Sequence, residues 1–165
     1  MKRPIEVIIV LLFLATTSCG SATDQEQSYA GAWFTVQYPA SFRVEPSLKS
    51  STGEGYDSAF FHSPDGRVSF YVFAPQWGGN PADIALDETT ERLTATNTSK
   101  GNKAVVTWYT ITALDGSYIR SYQQTDSPDQ TSRWIIGVRY ATPNDFKAYQ
   151  SAYDKFKRSL QRFGD

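Results

Sequence analysis

Apolar positions divide the chain into three regimes: one unbroken run near the N-terminus, a middle of short aromatic and β-branched bursts, and a closing stretch at helical spacing. Residues 7–15 read VIIVLLFLA, too short to cross a bilayer, which takes about 20 apolar residues. Past residue 28 the bursts are strand-like and are separated by turn residues. Residues 33–38 (WFTVQY) form a strand stopped by Pro39, and 42–45 a second, ending at Pro46. Residues 57–62 and 67–74 flank Ser63-Pro64-Asp65-Gly66, a hairpin turn. Val68, Phe70, Val72 and Ala74 share one face of the second strand and Tyr71 and Phe73 the other, so neither face is plainly solvated. Asn80-Pro81-x-Asp83 carries the marks of a helix start, with an Asn cap, Pro at the first position and an early acid. The spacing predicts a helix from there to about Thr94 and a loop over 96–102. Residues 103–114, 117–125 and 132–141 form a three-strand meander turned at Asp115-Gly116 and at 126–129. On its last strand Trp134, Ile136, Val138 and Tyr140 face one way, and Ile135, Gly137 and Arg139 the other.

The closing stretch is the clearest helix. Thr142 caps it, Pro143 takes the first position and Asp145 completes a capping box. Phe146, Tyr149, Tyr153, Phe156, Leu160 and Phe163 recur at steps of three and four, a single stripe that must bury itself on a sheet, and Gly164 ends it. The elements add up to an α+β domain: an antiparallel β-sheet of about six to seven strands packed by two helices.

The N-terminal region reads as an export address. Lys2 and Arg3 precede the apolar run, and Thr16-Thr17-Ser18 leads into Cys19. That order of parts resembles the bacterial lipobox, in which small residues precede a cysteine that is lipidated and becomes the new N-terminus. Thr16 stands where the motif usually carries Leu. The other reading is an ordinary secretory signal cleaved after Gly20 or Ala22. Cys19 is the only cysteine, so no internal disulfide forms. Acylation would also remove a free thiol from an oxidising compartment. The resulting organisation is a signal peptide over 1–18, a flexible tether over 19–28 (after Cys19, GSATDQEQS) and one domain over 29–165.

Cleavage before Cys19 changes 16 Lys+Arg and 17 Asp+Glu to 14 and 16. That weak acidity disfavours nucleic acid, whose binding rests on clustered basic residues. The protein's partners are therefore expected to be a membrane, through the N-terminal lipid, and an envelope protein or small ligand. Nothing in the sequence sets the oligomeric state.

Catalytic chemistry is sparse. His62 is the single histidine, at a strand end beside a turn, and no G-x-S-x-G elbow, P-loop or G-x-G-x-x-G occurs. One His without an available Cys disfavours zinc, so no metal and no cofactor are expected. Asp83, Asp87, Glu88 and Glu91 would share the short mid-chain helix, most simply as a solvated face. Trp77, between Gln76 and Gly78-Gly79, is the candidate contact for a partner or ligand, the alternative being a lid folded back on the sheet.

The order of elements resembles the PsbP-like domains, which include small bacterial lipoproteins of the DcrB type. The resemblance rests on F-T-V-x-Y-P (Phe34 to Pro39) and on the closing helix with Tyr149, Tyr153, Phe156, Ser159, Leu160 and Phe163. It implies an α/β/α sandwich and a non-enzymatic binding, scaffold or assembly role, with no catalytic residues to transfer. These readings converge on a lipid-anchored, periplasm-facing binding lipoprotein, with an envelope hydrolase or peptidoglycan-acting enzyme as the alternative. A cleft holding His62 beside a second polar group and a serine would favour the enzyme, and an exposed aromatic patch without convergent titratable groups would favour binding.

Overall fold

The computed structural model describes residues 25–163, so the expected signal peptide over 1–18, Cys19, most of the expected tether and Gly164 lie outside the described residues. In chain order the elements are β1 (Glu26–Ala30), β2 (Phe34–Pro39), β3 (Arg43–Pro46), β4 (Ser58–His62), β5 (Val68–Phe73), a 3-10 turn (Ala82–Ile84), β6 (Glu91–Lys100), β7 (Val105–Ala113), β8 (Ile119–Asp126), β9 (Arg133–Tyr140), α1 (Pro143–Ser159) and β10 (Gln161–Arg162). Seven strands form one sheet in the order β3-β4-β5-β9-β8-β7-β6, with each named pairing antiparallel. A small sheet, β1-β2-β10, packs with α1 over one face of it.

The turns form where their chemistry requires. Ser63 and Val68 close the β4–β5 hairpin through the Ser63 N–H to the Val68 carbonyl (2.8 Å), with Gly66 at φ 69°. Thr142 caps α1 by accepting from the Asp145 N–H at 3.2 Å. The helix stripe is buried as its spacing requires: Tyr153 and Phe156 enter the core, with Phe146, Tyr149 and Leu160 packed around them. The stripe stops early, however. The helix ends at Ser159, whose hydroxyl accepts from the Gln37 N–H at 2.8 Å. The chain then pairs with β2, leaving Phe163 exposed.

Two expectations are corrected. The described residues hold one helix, not two. Residues 80–94 form a three-residue 3-10 turn and the start of β6, and the expected loop over 96–102 is largely strand. Pro81 precedes the turn with no side-chain cap, and Asn80, the expected cap, instead accepts from Arg133. Thr94, Thr96 and Thr98 prefer the pleated backbone, and pairing with β7 supplies the hydrogen bonds an isolated helix turn lacks. The second correction concerns the tether. Residues 26–28 belong to β1, paired with β2 from Glu26↔Pro39 to Ala30↔Thr35, and Tyr29 seats its ring against Phe34 and Phe61.

Candidate functional site

With only one helix, the sheet face opposite α1 is covered by a strap, residues 74–90, rather than by a second helix. Strand alternation sets what this face presents. Directly opposed residues make one row of aromatics, Phe60↔Tyr71 and Tyr122↔Tyr109, with Gly137 between Tyr71 and Tyr122. Gly137 is required there, because a Cβ on it would lie 2.2 Å from Tyr122 Cδ1. The adjoining row runs His62↔Ser69↔Arg139↔Arg120. Strap and sheet enclose a cleft of about 510 Å³, floored by Phe60, Tyr71 and Tyr122 of the first row and by the second row, and walled by Asp83, Asp87 and Glu91. Its size lies in the range of small-ligand sites. Across the strap a second concavity of about 440 Å³ is lined by Leu86, Leu93, Tyr109 and Ile111.

Arg120 pins the strap. Buried at 6% exposure, it donates to both Glu91 oxygens (Nε at 2.7 Å, Nη2 at 2.5 Å), to the Ile84 carbonyl (2.8 Å) and to the Ala85 carbonyl (3.0 Å). Glu91, also 6% exposed, accepts further bonds from the Tyr118 hydroxyl and the Asp87 N–H. Burial pushes its carboxyl up. The donors, Arg120 foremost, outweigh burial and hold it below the usual glutamate range. Asp83 anchors the strap nearer its start, accepting from the Tyr71 hydroxyl at 2.8 Å and the Ser58 hydroxyl at 2.7 Å.

At the other end of the cleft His62 lies between Ser69 and Glu45. Its Nδ1 is 2.8 Å from Ser69 Oγ; its Nε2 is 3.3 Å from Glu45 Oε2 but makes no well-aligned hydrogen bond. Burial pushes the imidazole below its usual range, and the guanidinium groups of Arg43 and Arg139 act in the same direction. The Arg139 guanidinium carbon lies over the Tyr118 ring, 4.1 Å from its centre.

No family model and no curated protein matches the sequence. The three-dimensional arrangement is similar to the solution structure of cyanobacterial PsbP (CyanoP) from Synechocystis sp. PCC 6803. The TM-score is 0.51 at 13% identity, over 90% of this chain and 99% of that one. The fold is PsbP-like.

Within this PsbP-like domain the sequence-predicted site residues are dispersed. Trp77 lies outside the main cleft, 38% exposed, its ring edge-on to Phe73 at 5.9 Å and folded over Gly79. Asp83, Asp87 and Glu91 do not share a helix face, yet the strap and the start of β6 bring all three to the cleft; Glu88 is not among its lining. His62 is in the cleft too, beside a serine and a carboxylate. Among the described residues no group of three or more His, Cys, Asp or Glu is placed to hold a metal, and no helix is long and apolar enough to cross a membrane. Sequence reading missed Arg120 and Arg139. Their one signal was a charged residue on the same strand face as an aromatic or apolar one (Arg120 with Tyr122, Arg139 with Ile135).

Proposed function

We propose that the protein is an exported lipoprotein of the DcrB type, anchored through Cys19 to a bacterial envelope membrane, whose PsbP-like domain binds a small ligand. The cleft of about 510 Å³ carries the binding half of this reading. It combines an aromatic floor with a few oriented polar groups, the usual composition of a ligand site. The anchoring half rests on the apolar run ending at Cys19, and two or three acyl chains there would make attachment effectively permanent. Metabolic labelling with a fatty acid tests it: Cys19→Ser should abolish labelling and release the protein from membranes. Labelling that survives the substitution refutes the anchor.

The arrangement of Ser69, His62 and Glu45 supports a second reading, an envelope hydrolase, and meets the criterion of a histidine beside a serine and another polar group in a cleft. The ring is oriented the opposite way from a serine-hydrolase triad, in which Nε2 serves the serine and Nδ1 the carboxylate. Ser69 is 6% exposed in a strand paired on both sides, so the neighbouring amides are committed to the ladder instead of forming an oxyanion hole. Covalent capture of Ser69 by a fluorophosphonate probe would establish the hydrolase over the binding protein.

A further inference from the structure

Charges in the cleft are unevenly partnered. Arg120 and Glu91 neutralise each other, and Glu45 has Arg43 at 3.1 Å. Arg139, at one end, forms no ion pair or hydrogen bond among the described residues and is held only by its stacking on Tyr118. Contact with the ring face holds the guanidinium in place and leaves its N–H groups available for bidentate binding of a carboxylate. Asp83, also on the lining, forms no ion pair among the described residues either. Its two oxygens are oriented by neutral hydroxyls, those of Tyr71 and Ser58, which fix the carboxylate without cancelling its charge.

Register gives the spacing of the backbone positions that carry these groups. Tyr71, which holds Asp83, is opposite Gly137, and Arg139 is two residues further along the same strand. One strand spacing across and two residues along separate Tyr71 from Arg139 by roughly 8 Å at the backbone. An extended chain covers about 3.3–3.6 Å per residue, so two residues bridge about 7 Å. Four carboxylates against two guanidinium groups on the lining also disfavour a ligand that carries only negative charge.

Building on the small-ligand reading above, we propose that the ligand is a free zwitterion of dipeptide size, its carboxylate on Arg139 and its ammonium on Asp83. His62, the only histidine, lines the same cleft and gives a single pair of ring-proton signals that report occupancy without further labelling.

The test follows those signals and the backbone amides in the full chain in detergent. It compares Ala-Ala with its N-acetylated form, which lacks the ammonium, and its C-terminal amide, which lacks the carboxylate. Ala-Ala should shift the His62 signals saturably, and each capped form should bind at least about tenfold more weakly. Asp83→Asn should weaken Ala-Ala about tenfold and leave the acetylated form unaffected. Arg139→Gln should do the same with respect to the amide. The amide spectrum of each variant establishes that it is folded. Capped forms that bind as well as Ala-Ala overturn the zwitterion. Acetate or glucose shifting His62 when Ala-Ala does not overturns it as well, and leaves the small-ligand reading standing. No shift from any probe overturns both.

Discussion

Arg120 is the residue on which the strap depends, and Arg120→Met tests that directly. Methionine keeps most of the buried stem and removes the guanidinium. Glu91 would then hold a buried carboxylate supported only by the Tyr118 hydroxyl and the Asp87 N–H, and the Ile84 and Ala85 carbonyls would lose their donor. Removing one partner of a buried pair costs about 3–5 kcal/mol, against the roughly 5–15 kcal/mol that holds an ordinary domain together. In the double variant Arg120→Met/Glu91→Leu the stranded charge is gone, and the two strap carbonyls account for a residual loss of about 1–3 kcal/mol. Urea denaturation of wild type, both singles and the double, followed by circular dichroism, gives the coupling from a double-mutant cycle. A loss below about 1 kcal/mol in Arg120→Met would mean that the guanidinium is solvated and the strap is not pinned. The same pair sets an acid limb. The folded-state pKa of Glu91 lies below its unfolded value near 4.5, so its stabilisation is fully present above that pH and is lost as pH falls through the folded value. Glu91→Gln should flatten that limb.

Three further outcomes follow from packing. Phe156→Ala should cost about 3–5 kcal/mol, because Phe156 is 1% exposed between Phe61, Phe70 and Tyr153; an unchanged melting temperature would mean that α1 does not dock. Gly137→Ala should destabilise by about 1–3 kcal/mol as its methyl group meets Tyr122, and Gly137→Ala/Tyr122→Leu should recover part of that loss in thermal melts. Trp77→Ala should lose about 0.5–1.5 kcal/mol with the Phe73 contact. Unaltered stability combined with lost binding would make Trp77 a ligand contact instead.

The elements legible in the sequence were those specified by neighbours in the chain. Ser63-Pro64-Asp65-Gly66 and Asp115-Gly116 carry their own turn chemistry, Thr142-Pro143 with Asp145 its own cap, and the aromatic stripe from Phe146 to Leu160 its own period. Alternation on β9 likewise put Ile136 and Val138 on one face and Ile135 on the other, and packing places them in separate clusters on the two sides of the sheet. The candidate site was only half legible. The mid-chain acids were noticed, but on a helix that does not form.

What tertiary structure alone decided lies where the partner is distant in sequence. Residues 80–94 carry a passable helix start, yet a helix so short gains little by itself. The alternative supplies β7 as a hydrogen-bonding neighbour and Arg120, 29 residues on from Glu91, as a buried counter-ion. Residues 26–28 look like solvated tether, but β2 presents an open edge to them and Tyr29, next in the chain, packs its ring on Phe61. The sequence by itself determined an α+β chain with its hairpins and closing helix, since turn, cap and period energies are local. Which face stays open, which charges meet there and which of them lack a partner depend on contacts between segments tens of residues apart, and only the assembled sheet brings those together.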